Sequence, residues 1–130
     1  MTFGSEQLIS AARAVVDARG LSGGGSAGSV GAAILTEAGS VYTGVCIELS
    51  CGLGLCAEVS AIAQMVTFGE THIGHVVAVT ADRILPPCGR CRETLMQLDE
   101  RNAEAKVIVS DVDVVTLRSL LPAYWRENLR

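Results

Sequence analysis

Lysine occurs once in the 130 residues, as Lys106, and the nine arginines form no stripe, so a net charge of −4 leaves no track for a nucleic acid backbone. Nucleic acid is not the expected partner. Long apolar runs are missing too: the longest, Val76 to Val79 with its flanks, is far short of the ~20 residues that span a bilayer. No membrane segment is expected. The first fifteen residues hold no basic stretch followed by an apolar run, so a secretory leader is not expected and the compartment is read as cytosolic. Internal repeats and linkers are also absent. What is present, 49% hydrophobic and 18% charged residues, describes one globular domain over 1–130. At this length folding buries roughly two thirds of the exposable surface, so the five cysteines are not needed as staples. An odd number cannot pair completely, which leaves metal binding, catalysis or packing for reduced thiols.

Apolar residues Leu8, Ala11, Ala12, Val15 and Val16 fall at helical spacing, predicting a helix from Ser5 to Arg19 with Ser5 as N-cap and Gly20 as stop. Leu21 to Gly28 reads as a loop. Ser29–Leu35 and Val41–Glu48 read as a hairpin turned at Thr36 to Ser40. Cys56 to Phe68 is a second helix closed by Gly69, and His75 to Ala81 is a strand covered on both faces. After Pro86 and Pro87, the residues Cys88, Cys91, Leu95 and Leu98 share one face of a third helix. Val107–Val109 and Asp113–Val115 complete five strands, and Thr116–Asn128 is a helical tail interrupted at Pro122. The alternation indicates an α/β layered domain.

Gly23, Gly25 and Gly28 match G-x-G-x-x-G, but a helix precedes and a strand follows them, the reverse of what pyrophosphate binding needs. A flexible loop is the better reading. Lys106 lies near no glycine cluster, so a Walker-type loop is absent as well. More informative are Cys56-Ala57-Glu58 and Pro87-Cys88-Gly89-Arg90-Cys91, which place three sulfurs at the starts of two helices. A helix start carries partial positive charge and favours the thiolate that a metal requires. Cys88 and Cys91 can converge from one turn and Cys56 supplies a third ligand, so a tetrahedral zinc keeps one open position, the pattern of a catalytic site. Glu58, in the first turn of its helix, is placed to move protons at that position. Zinc with three thiolates carries a net negative charge, which Arg90 and Arg92 in the ligand turn are candidates to relieve from the second coordination sphere. The residues alone leave other readings open: Cys88 and Cys91 as a redox pair or buried thiols, Glu58 as a helix-dipole partner, and Arg92 directed to solvent.

Both zinc motifs, together with Ser29-Val30-Gly31-Ala32-Ala33, Tyr42-Thr43-Gly44-Val45 and Leu120-Leu121-Pro122, resemble the zinc-dependent cytidine deaminases and, within that fold, the blasticidin-S deaminases. The resemblance implies a three-layer α/β/α fold with a mixed five-stranded sheet. It implies one Zn2+ per chain on Cys56, Cys88 and Cys91, with Glu58 carrying protons in a hydrolytic deamination. The substrate it implies is the cytosine ring of a free nucleoside, cytidine or deoxycytidine, and the assembly a homotetramer. Substrate contacts are expected from Glu48, the backbone at Ala57, Cys46 and Tyr124.

Three positions depart from the cytidine deaminase pattern. Cys46 stands where an asparagine usually pairs with the retained Glu48 to read the sugar, and Gly28 stands where an aromatic is usual. Val59 follows Glu58 where cytidine deaminases usually carry an arginine, which blasticidin-S deaminases lack as well. These differences motivate a second substrate reading, blasticidin S or another cytosine-nucleoside analogue. A different class of hypothesis is a zinc-stabilised binding protein without turnover, against which Glu58 argues. Cys46 and Cys51 are otherwise read as small buried residues, His72 and His75 as loop residues. Tyr124 and Trp125 either close a pocket or anchor the tail.

Overall fold

The computed structural model describes residues 4–130, so the first three residues of the expected 1–130 domain lie outside it. Helix α1 spans Ser5–Ala14. Its N-cap is Gly4, whose N–H donates to Gln7 Oε1 at 2.6 Å, and Ser5 is the first helical residue. The helix stops five residues before the expected Arg19. Val16 still packs on the core after the helix has ended, which extends the apolar pattern beyond the helix itself. The chain then turns so that the Asp17 N–H reaches the Gly28 carbonyl at 2.8 Å, and Arg19–Gly20 forms a two-residue strand, β1.

Strand β2, Ser26–Thr36, pairs antiparallel with β3, Val41–Glu48, on one edge and with β1 and β4, Ile73–Val79, on the other. It begins three residues earlier than expected, because Gly28 is a bulge inside the strand and not the end of a loop. Gly28 has φ +87°, and a Cβ there would stand 2.0 Å from the Asp17 carbonyl oxygen. No aromatic side chain fits at this position. Strand β5, Ile84–Leu85, folds back on β4; β6, Lys106–Ile108, runs parallel to β4; and β7, Val114–Thr116, closes the far edge. Among the described residues the mixed sheet thus has seven strands where five were expected. The additional two, β1 and β5, have two residues each, too few for a periodic signal.

Neighbouring residues of each strand face opposite sides, and the core divides accordingly. Ala33, Val77, Val79 and Ile108 pack against Leu8 and Ala12 of α1. Ile34, Val76 and Val107 face the other way, against α2, Ala57–Thr67, and α3, Gly89–Leu98. This is the expected three-layer α/β/α arrangement. Gly44 on β3 lets α2 lie close: a Cβ there would be 2.5 Å from the Ala61 amide nitrogen. The tail is not helical as expected. After β7 it makes two short 3-10 turns, Arg118–Leu120 and Glu127–Leu129, because Leu117, Tyr124 and Leu129 are drawn separately into the core beside Leu95 and Met96. Among the described residues, no helix is long and apolar enough to cross a membrane.

Candidate metal centre and its cleft

Cys56 and Cys88 are the N-cap residues of α2 and α3, both with extended backbone, and Cys91 lies in the first turn of α3. Serine, threonine or aspartate usually caps a helix through a side-chain oxygen. Sulfur at these positions keeps the helix starts and turns two thiols toward each other. Cys56 Sγ lies 3.5 Å from Cys88 Sγ, and Cys88 Sγ lies 3.6 Å from Cys91 Sγ. All three sulfurs fall within 4.8 Å of one another. A tetrahedral zinc with Zn–S bonds near 2.3 Å separates its sulfurs by about 3.8 Å. The triangle therefore fits one zinc ion with little movement, and all five cysteines are free of disulfides.

The first turn of α2 sits on a floor of small residues, Ala32, Ala78 and Cys46, against which Ala57 is packed. Glu58 follows, only 5% exposed. Burial raises its pKa, offset in part by its own N–H and the Cys91 thiol. Burial also raises the thiols of Cys56 and Cys91, and the carboxylate of Glu58 adds to the effect on Cys91. Burial pushes Cys88 up as well, but the N–H of Cys91, the thiols of Cys56 and Cys91, and the N–H of Arg90 face its sulfur and bring its pKa below the usual thiol value. Of the three, Cys88 is the thiol whose surroundings favour the thiolate. A divalent cation among the sulfurs offsets the cost of ionising the other two.

Cys46, Glu48, Cys56, Ala57, Glu58, Cys88 and Arg90 all line one cleft of about 540 Å3, with Cys91 buried beside it. The fold brings these residues to one cleft from β3 and from the starts of α2 and α3. Glu48 is exposed at the end of β3, with hydroxyls from Ser26 at 3.5 Å and Ser29 at 3.4 Å on its carboxylate. Cys46 is buried, and its sulfur accepts the Val30 N–H at 3.4 Å and contacts Ser29 Oγ at 3.3 Å. Arg90 reaches across the mouth to the Gly54 carbonyl at 3.2 Å.

Other expectations are corrected. Arg92 does not face the sulfurs; its guanidinium donates to the carbonyls of Pro87 at 2.8 Å and Leu120 at 3.3 Å. Tyr124 does not line the cleft: its hydroxyl donates to Glu93, as does Trp125 Nε1 at 3.1 Å, so the pair anchors the tail to α3. Cys51 is exposed, with φ 62°, on the loop beside the cleft, and His75 lies in β4. Leu49, Gly52, Gly54, Leu55, Leu85 and Pro86 also line the cleft, a role the sequence does not assign them. Gly52 and Gly54, between Tyr42-Thr43-Gly44-Val45 and Cys56-Ala57-Glu58, are the available signal. Leu55 is held there by a two-bond bridge to Ile47.

Comparison with known proteins agrees with this geometry. Residues 5–108 match the family described as the cytidine and deoxycytidylate deaminase zinc-binding region. A cytidine deaminase of Halalkalibacterium halodurans is 39% identical over 108 residues, covering 77% of this chain and 80% of the relative. A blasticidin-S deaminase of Bacillus cereus is 37% identical over 76 residues, covering 51% of this chain and 54% of that one. The crystal structure of cytidine deaminase from Mycobacterium leprae superposes with a TM-score of 0.76 at 32% identity, covering 90% of this chain and 96% of its own. That from Mycobacterium tuberculosis gives 0.78 at 29% identity, covering 93% and 96%. A match that takes in both cysteine motifs, the strands between them and the sulfur triangle they form places the chain in the cytidine and deoxycytidylate deaminase family, zinc-dependent hydrolases acting on cyclic amidines.

Proposed function

We propose that this chain removes the exocyclic amine of the cytosine ring of a free nucleoside, cytidine or deoxycytidine, giving the uracil product and ammonia. The observation that carries the reading is the buried carboxylate of Glu58 in the same cleft as three converging sulfurs. Cys56, Cys88 and Cys91 would hold zinc, whose Lewis acidity activates water at neutral pH. Glu58 takes a proton from the attacking water and delivers it to the ring nitrogen, then takes the remaining proton from the added hydroxyl and passes it to the leaving amine, so that ammonia departs as the ring carbonyl forms. Its raised pKa suits a group that must both take and give a proton. The packed start of α2 at Ala57 presents backbone to the base, and Cys46 and Glu48 form the wall beyond it. The cleft residues include one cationic side chain, Arg90, and two carboxylates, Glu48 and Glu58. This balance favours a neutral nucleoside over a phosphorylated one.

A second substrate reading rests on Cys46. Its sulfur is already occupied by the chain's own Val30 N–H and Ser29 hydroxyl. The wall therefore lacks the amide found in cytidine deaminases, and blasticidin S or a related analogue is the alternative. Assembly as a homotetramer, action as one cytoplasmic domain and a place in pyrimidine salvage belong to the same proposal. Exposed Leu49 and Leu53 near the cleft mouth support burial by neighbouring copies, and light scattering reads the mass directly.

The deciding experiment is an ultraviolet assay of the zinc-loaded protein on cytidine, deoxycytidine, deoxycytidylate and blasticidin S, with Glu58→Gln as control. Turnover of the two nucleosides, lowered at least ~10²-fold in the variant while zinc is retained, is expected. Turnover of the antibiotic alone would select the second reading. Equal turnover in the variant removes Glu58 from the chemistry.

A further inference from the structure

The ligand turn of α3 has one sulfur inside the helix and one outside it. Cys91 is held by helical geometry, whereas Cys88 is the N-cap, where the backbone is extended with φ −70° and ψ 169°. Its amide plane is shared with the Pro87 carbonyl, because the two belong to one peptide unit. That carbonyl accepts the Arg92 Nε–H at 2.8 Å, and the same guanidinium donates to the Leu120 carbonyl at 3.3 Å. The next residue, Glu93, takes the Tyr124 hydroxyl and the Trp125 indole N–H. Two successive α3 residues thus tie the ligand turn to the C-terminal segment. The segment is fixed in turn: Leu117, Tyr124 and Leu129 are buried with Leu95 and Met96, and Arg118 and Arg130 reach carbonyls within it, at Leu129 and Tyr124.

We propose that Arg92 is a positioning residue, and that with the C-terminal segment it braces the Pro87–Cys88 peptide so that the Cys88 sulfur stays on the metal. The inference rests on the assignment of Cys88 as a ligand. A planar guanidinium joining two carbonyls explains why arginine is needed: an ammonium is a point donor without the fixed fork. It also gives the tail a role that lies outside the cleft. Arg92 acts through the backbone, and its guanidinium makes no contact with a sulfur.

The test compares zinc release into an excess of a chromophoric chelator for the full chain and for Arg92→Ala, Arg92→Lys and Tyr124→Phe, together with the absorption bands of each cobalt-substituted protein. Arg92→Ala is expected to release zinc about 10-fold faster or more, the usual scale for losing a group that orients a ligand, and to shift the cobalt–thiolate bands. KM should stay within about twofold, because Arg92 lies outside the cleft. Arg92→Lys should recover only part of the loss, and Tyr124→Phe should loosen the metal less than Arg92→Ala does. Unchanged release and cobalt bands in Arg92→Ala, with only the melting temperature lowered, would overturn the brace. If Arg92→Ala does not fold, wild-type behaviour of both Arg92→Lys and Tyr124→Phe overturns it equally. A wild-type protein that holds no zinc removes the ligand assignment and the brace together, whereas tight zinc with unaltered variants removes the brace alone.

Discussion

At one end of the cleft, Cys56, Cys88, Cys91 and Glu58 are set by the first turns of two helices packed on the sheet; at the other, Glu48 stands exposed at the end of β3 beside a glycine-bearing loop. The first end is built on packed elements of the fold. Helix caps fix backbone direction, the small residues Ala32, Ala57 and Ala78 allow close approach, and burial shapes the protonation of every group. The second end relies on side-chain hydroxyls at 3.4 and 3.5 Å, which are weak restraints. Chemistry requires fixed geometry, while substrate choice can be altered by changing one wall.

Removing a sulfur should break the first end altogether. Cys91→Ala is expected to lose bound zinc, measured by metal analysis, and to reduce deamination to background. Retained zinc would show that Cys56 and Cys88 suffice. Next in size is the seat of α2: Gly44→Ala puts a Cβ against the Ala61 amide and should destabilise the fold by about 1–3 kcal/mol in urea melts. Unchanged stability would mean that α2 can shift without cost, against the picture of a preset helix start.

The far end of α3 offers a smaller test. Arg101 holds the Asp99 carboxyl well below the usual carboxylate range through its guanidinium and N–H, with Thr71 adding a hydrogen bond. A depressed folded-state pKa gives stability that is present above the ordinary carboxylate value and is lost as pH falls through and below it. Asp99→Asn should therefore cost about 1 kcal/mol at pH 7 and progressively less on acidification, read from melting temperatures across pH. A pH-independent loss would contradict the ion pair. Cys46→Ala, at the open end, is expected to change KM by about threefold or less and to leave zinc content and melting temperature nearly unaltered. Loss of zinc in this variant would erase the division between the two ends.

Which parts were legible in the sequence follows from the range of the interactions involved. Cys56-Ala57-Glu58 and the Cys88–Cys91 turn could be read because cap position and helical spacing are local properties. Strands β2, β3, β4 and β6 showed as apolar runs. The Gly28 bulge reads as loop in the sequence, since a positive-φ glycine looks the same in both settings without Asp17 against it. Arg92 was misplaced for a similar reason. Sequence puts it one residue from Cys91, but its direction depends on the Leu120 carbonyl, 28 positions away. Tyr124 was likewise unreadable without its partner Glu93.

By itself the sequence determined which sulfurs and which carboxylate are the candidates for the site, the layered α/β class and the absence of a basic track for nucleic acid, because these depend on residue type and spacing. Tertiary structure alone decided that three sulfurs from two helix starts meet within 4.8 Å, that Cys46 and Glu48 share their cleft, and that the tail grips α3 through Glu93. Those outcomes turn on where distant segments meet, and meeting is set by how the sheet and its helices pack as one core.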